Sequence, residues 1–273
     1  MRTNELGHLV FDAARRSAAN AITLLALSAG LFALFYAAQG AIAQAVFCVL
    51  LAAILDGCDG RVARSTGCES RFGAELDSLA DVVCFGAVPA FILYQWMLAE
   101  TGAAGALPSL AIMSACALRL ARFNVAAASP EPKNPSGAYF TGVPAPAGAF
   151  LALLPVYLHF AAILDGPGAA RLGAINGFIV AGLMVSRLPT FSGKRIPRAQ
   201  LQRWSTPAIL AALAATAGIV LAPWATFAVL ALAYTLTFPL SAYVFTRSMH
   251  PGALAFKAAE LEPADPPSPP ATR

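Results

Sequence analysis

An all-α, polytopic membrane protein of about eight spans, with both termini on the cytoplasmic side, is the fold class this sequence predicts. Three observations predict it. Apolar residues make up 58% of the 273 positions and charged residues only 12%, against about 25% charged in an ordinary soluble chain. The apolar residues fall in long runs free of Asp, Glu, Lys and Arg, and a run of about 20 such residues is what a helix needs to cross a bilayer. Finally, the loops between the runs alternate in charge. The five loops assigned to one side hold 3, 3, 3, 5 and 3 Lys and Arg, which is 17 of the 18 in the chain, and only Arg171 remains for the other side. By the positive-inside rule the basic side is cytoplasmic.

Taken in order, the segment 1–19 carries Glu5, Asp12, Arg15 and Arg16 ahead of the first apolar run. No cleavable signal peptide is expected, because no A-x-A-like site closes a short hydrophobic stretch. Ala21 to Leu55 is charge-free and divides at Gln39-Gly40 into two spans. Val82 to Ala99 and Thr101 to Leu118 give the third and fourth, separated by Glu100. A fifth lies within Asn134 to Leu164, with Pro144 and Pro146 setting its start, and Leu172 to Ser186 is the core of a sixth. Trp204 to Thr246 divides at Pro223-Trp224 into a seventh and eighth. The tail from Lys257 is rich in Pro and reads as disordered. This composition excludes nucleic-acid binding and a secreted disulfide scaffold. The five cysteines, Cys48, Cys58, Cys68, Cys84 and Cys116, are odd in number and form no C-x-x-C pair, and His8, His159 and His250 lie far apart. Neither a zinc site nor a disulfide framework is expected.

Against this apolar background four acids stand out. Asp56, Asp59, Asp77 and Asp81 straddle the loop between spans two and three, in LDGCDGRVARSTGCESRFGAELDSLAD. An acid within a spanning helix costs roughly 2.5–3.5 kcal/mol at mid-bilayer, so four together call for a function. Asp56 and Asp59 are three residues apart, Asp77 and Asp81 four, so on helices each pair shares a face. Two facing pairs supply four carboxylates to one point. Their repulsion requires cations, and hard oxygen ligands in this number suit Mg²⁺, Mn²⁺ or Ca²⁺. Interfacial caps paired with Arg61, Arg64 and Arg71 are the plainer alternative. Gly60 and Gly73 lie one turn from the acids and permit close approach of a backbone or ligand. Gly86 is read as helix packing. Arg64, on the stripe of Gly60, is a natural phosphate partner.

These residues carry a resemblance. Asp56-x-x-Asp59-Gly60-x-x-Ala63-Arg64, then eight residues, then Gly73-x-x-x-Asp77-x-x-x-Asp81, matches all eight fixed positions of the CDP-alcohol phosphatidyltransferase signature. The resemblance implies a six-helix catalytic core, often in a homodimer, that displaces CMP from a CDP-linked substrate by an alcohol. It implies further that Asp56, Asp59 and Asp77 bind a divalent metal, Mg²⁺ or Mn²⁺ and as two ions, and that Asp81 both touches metal and acts as the catalytic base. Gly60, Ala63, Arg64 and Gly73 would contact the CDP moiety. Asn20 and Thr23 would lie near the nucleotide, although Ala19 stands where family members often have Pro before the Asn.

Within the family, ELDSLADVVCFGAVPA (75–90), LRLARFNV (118–125), FTGVPAPAGA (140–149) and LMVSRLPTFSGK (183–194) look like phosphatidylserine synthases. That likeness implies CDP-diacylglycerol and L-serine as substrates, and phosphatidylserine and CMP as products. Acceptors such as glycerol phosphate, inositol phosphate or choline are the alternative, and a transporter or lipid-binding protein is the alternative of another class. Arg119, Arg122, Arg187 and Lys194 are read at cytoplasmic helix ends, able to hold a diphosphate or a serine carboxylate, with Asn124, Thr141 and Ser186 as polar neighbours. Snorkelling anchors would look the same in sequence. The expected organisation is a cytoplasmic segment over 1–19, a catalytic membrane domain over 20–194, a loop and two further spans over 195–249, and a tail over 250–273. The expected location is the inner membrane, with the active site facing the cytoplasm.

Overall fold

The computed structural model describes residues 2–66, 70–128, 139–186, 189–191 and 198–238. Helices dominate: α1 (Arg2–Ala38), α2 (Ile42–Thr66), α3 (Arg71–Leu98) and α4 (Ala103–Ala128). They are followed by α5 (Ala145–Ala152), α6 (Leu154–Phe160), α7 (Pro167–Val185), α8 (Arg198–Leu221) and α9 (Pro223–Phe238). Five stretches are long and apolar enough to cross a membrane, in α1 (Asn20–Ala38), α2 (Ile42–Val62), α3, α4 (Ala103–Ala127) and α7 (Gly168–Val185).

The packing is inverted relative to a soluble protein. Leu25, Phe32, Leu107 and Ile179 are each more than half exposed, a surface suited to hydrocarbon. The contact of α1 with α2 is built from small residues: Ala26, Ala29, Ala33 and Ala37 of α1 are buried with Ala45, Val49 and Ala52 of α2. Their three- and four-residue spacing lets two backbones approach closely where lipid provides no hydrophobic drive. Gly30 is tight against α3, since a Cβ there would lie 2.6 Å from Cys84 Sγ. As the sequence indicated, Gly86 is a packing glycine: a Cβ there would meet Cys116 Cβ of α4 at 3.1 Å.

Three features of the fold go beyond the sequence reading and have local causes. The expected fifth span is broken into α5 and α6 at Leu153 (φ −85°, ψ 1°). Pro155 has no N–H to offer the Leu151 carbonyl, and the freed carbonyls of Leu151 and Ala152 accept instead from Asn176 Nδ2 of α7, at 3.0 and 3.2 Å. The third helix, expected to carry Asp77 and Asp81 ahead of the charge-free run, reaches back to Arg71, where Ser70 caps it by accepting from Gly73 N. It widens into a π-turn over Val82–Ala87, where Val88 N donates to Val83 O, just ahead of Pro89. Third, one short ladder is added to the all-α fold: Tyr139–Thr141 pairs antiparallel with Pro189–Phe191, with Thr141 opposite Pro189. The expected division between the last two helices falls at Ala222, between α8 and α9.

Candidate active site

The helical hairpin of α2 and α3 sets the depth of the acids. Asp59 is seven residues before the end of α2 and Asp77 six after the start of α3, so at 1.5 Å per residue both lie about 10 Å from the connecting loop. Asp56 and Asp81 are each ten residues from it, about 15 Å. The four acids thus form two levels, one from each helix at each level. Helix α1 packs along both α2 and α3 and forms the shared wall.

One carboxylate oxygen each from Asp56, Asp59 and Asp77 lies within 4.8 Å of the others. The carboxyl groups of Asp56 and Asp81 come within hydrogen-bonding reach of each other. Asp59 is buried and accepts a 2.7 Å hydrogen bond on Oδ2 from Thr23 Oγ1 of α1. The three clustered residues supply carboxylate oxygens alone. That chemistry fits Mg²⁺ or Mn²⁺ and does not fit a thiolate metal.

Around this cluster sit the glycines. A Cβ on Gly60 would lie 3.3 Å from Arg64 Nη1, so the missing side chain makes room for the guanidinium one turn on. Arg64 also acts electrostatically on Asp59. A Cβ on Gly73 would meet Asn20 Oδ1 at 3.0 Å and Ser70 Oγ at 3.1 Å, so Asn20 lies against the first turn of α3. Asn20 and Thr23, three residues apart, share one polar face of α1, Asn20 lying against Gly73 and Thr23 bonded to Asp59. Ala63 lies on α2 beside Arg64.

The basic residues divide. Arg119 is not at a helix end: it lies nine residues inside α4, half-buried and in the field of Asp81. A cation at that depth is tolerated because the acids face it. Its Nε is buried without a hydrogen-bond partner. Arg122 donates from Nη1 to Val185 O at 2.8 Å and so caps the last carbonyls of α7. Nearby, Ser186 Oγ donates to Leu183 O at 2.8 Å. Gly142 takes φ +78°, and a Cβ there would lie 2.8 Å from Ser186 O. Arg122 and Ser186 therefore both bond carbonyls at one end of α7, with Gly142, next to Thr141 in the chain, packed against the Ser186 carbonyl. Arg187 and Lys194 lie outside the described residues.

Sequence reasoning missed Glu75 and Ser78. Ser78 Oγ donates to Asn124 Oδ1 at 3.1 Å, and Asn124 Nδ2 donates to Glu75 Oε2 at 3.4 Å. The signal was available, since Glu75, Ser78 and Asp81 are spaced by three and share a face of α3.

Comparison with known proteins agrees with this geometry. Residues 16–185 match the profile of the family described as CDP-alcohol phosphatidyltransferase. The chain is 38% identical over 230 residues to a CDP-diacylglycerol–serine O-phosphatidyltransferase of Mycobacterium tuberculosis, covering 81% of this chain and 77% of that one. It is 40% identical over 180 residues to the Helicobacter pylori protein of that name, covering 63% and 71%. A Methanocaldococcus jannaschii protein of the same name is 47% identical over 104 residues, 38% of this chain and 45% of that one.

Proposed function

The chain belongs to the CDP-alcohol phosphatidyltransferase family, and we propose that it is a CDP-diacylglycerol–serine O-phosphatidyltransferase, converting CDP-diacylglycerol and L-serine to phosphatidylserine and CMP. The observation that carries this reading is the meeting of Asp56, Asp59 and Asp77 within 4.8 Å between the two arms of a helical hairpin, in a chain whose relatives carry that enzyme's name.

In this reading Asp56, Asp59, Asp77 and Asp81 hold Mg²⁺ or Mn²⁺, as two ions. When bound, the metal neutralises charge on the diphosphate and on departing CMP. Arg64, seated over Gly60, reaches for the diphosphate as a fork of donors, and Gly60, Ala63, Gly73 and Asn20 form the wall against which the nucleotide lies. The serine hydroxyl oxygen attacks the phosphorus that bears diacylglycerol, the bond from that phosphorus to the CMP oxygen breaks, and the hydroxyl proton passes to the Asp81 carboxylate. Arg119, beside Asp81 with an unpartnered Nε, is suited to an oxyanion of the acceptor or of the phosphoryl group. Arg122, Asn124, Thr141, Ser186, Arg187 and Lys194 complete the acceptor side.

The same reading covers the setting. The protein is an inner-membrane enzyme of eight spans, with residues 20–194 as its catalytic domain and its active site and termini in the cytoplasm, where the 17-to-1 loop asymmetry supports them. Helices α8 and α9 contribute two of those spans, and α5 with α6 a third. It works as a homodimer, as the family resemblance implies.

An acceptor panel tests the function. Purified protein given CDP-diacylglycerol should release CMP with serine and far more slowly with glycerol phosphate, inositol phosphate or choline. A preference for one of those would reassign the acceptor within the family, and no CMP release with any of them would overturn the enzymatic reading.

A further inference from the structure

Thr23 on α1 and Asp59 on α2 are among the few buried polar residues, at 5% and 6% exposure. They are joined by the 2.7 Å hydrogen bond from Thr23 Oγ1 to Asp59 Oδ2. A threonine hydroxyl has one proton to donate, and an ionised carboxylate can only accept. The Thr23 hydroxyl therefore donates toward Asp59 in this arrangement.

We propose that Thr23 is a positioning residue: it fixes the Asp59 carboxylate from behind, so that this ligand is presented to Asp56 and Asp77 in one orientation. The inference rests on the metal-holding role given above to the aspartates. Three like-charged carboxylates within 4.8 Å repel, and each is free to rotate away about its side-chain torsions unless something holds it. Asp56 faces Asp81, another carboxyl group, whereas Asp59 accepts from a buried hydroxyl on a different helix. Because α1 packs along both α2 and α3, the hydrogen bond ties that ligand to the wall against which the hairpin is built. Partners that orient metal ligands in this way are worth about 10–100-fold in metal affinity.

The test measures Mn²⁺ binding to the full chain in lipid nanodiscs, by the loss of the free-ion electron paramagnetic resonance signal, with no substrate present. Thr23→Val keeps the shape but removes the hydroxyl, and should weaken Mn²⁺ binding about 10-fold or more. Thr23→Ser keeps the hydroxyl and should restore most of the wild-type affinity. In an Asp59→Ala background, Thr23→Val should change nothing further, as coupled partners require. Thr23→Ala repeats the measurement if the Val variant does not fold. Wild-type Mn²⁺ affinity in Thr23→Val, or equal losses in the Val and Ser variants, would overturn the inference. So would a loss confined to CMP affinity at saturating Mn²⁺. Absence of Mn²⁺ binding by the wild type would instead overturn the metal reading itself, and the inference with it.

Discussion

Replacing Asp77 by Asn should make the metal-free protein more stable while abolishing its metal response. Asp77 suits this experiment because like charges crowd its carboxylate, those of Asp56 and Asp59 together with that of Asp81 one turn on. With ligand oxygens within 4.8 Å of one another, each like-charge pair costs about 3.5 kcal/mol at an effective dielectric of 20. Two such pairs involve Asp77. Water between the two arms of the hairpin and proton uptake by the cluster reduce the sum, and a net gain of about 1–3 kcal/mol is expected from the neutral isostere. For a chain of this size that raises the unfolding midpoint by about 2–4 °C per kcal/mol. Cys84 and Cys116 are buried whereas Cys58 is exposed, so in a background with Cys58 and Cys68 replaced by Ser a thiol-reactive fluorophore reports the transition as the two buried thiols become exposed. In chelator, Asp77→Asn should melt several degrees above the wild type. With Mg²⁺ or Mn²⁺ added, the wild type should rise and the variant should not, because binding to the native state stabilises by mass action. Turnover should be lost. A variant less stable than the wild type in chelator, or one still stabilised by Mg²⁺, would refute the argument that these carboxylates repel one another and share an ion.

Three further outcomes are expected. Asp81→Asn should fold and bind CDP-diacylglycerol but lose turnover by about 10²–10⁴, the usual worth of a general base; near-normal turnover would remove Asp81 from the proton transfer. Cys68 should react with reagents from the cytoplasmic side, and cysteines placed at Gly40 or Glu100 with impermeant reagents from outside; the reverse pattern would put the acids on the wrong face for a CDP-linked substrate. Gly30→Ala would drive a Cβ to 2.6 Å from Cys84 Sγ, an overpacking cost of about 1–3 kcal/mol that Cys84→Ala should relieve; an unchanged melting midpoint in Gly30→Ala alone would contradict the close contact of α1 with α3.

The parts of this site that could be read from the sequence are those whose chemistry and spacing lie within one or two turns. Four aspartates at separations of three and four, set symmetrically about a short loop, almost dictate two facing pairs, and in the structure the carboxylates of Asp56, Asp59 and Asp77 do meet. Gly86 was legible as packing for the same local reason. What could not be read depends on partners distant in the chain. The break at Pro155 is tolerated because Asn176, more than 20 residues on, takes up the carbonyls it frees. Arg119 looks like a helix-end anchor until α3 brings Asp81 beside it. Arg122 looked free to bind an acceptor, yet one of its donors caps α7. Thr23 was assigned to the nucleotide by resemblance, and only the crossing of α1 with α2 reveals that its proton goes to Asp59.

The central claim is that this acidic hairpin runs a metal-dependent displacement of CMP by serine, and the most direct test is the yield of phosphatidylserine per CMP released by the purified protein, first in chelator and then with Mg²⁺ or Mn²⁺ restored. The account predicts no product of either kind in chelator, and equal amounts of phosphatidylserine and CMP once the metal is returned. Phosphatidylserine formed at full rate in chelator, or CMP released without it in the presence of serine and metal, would contradict it.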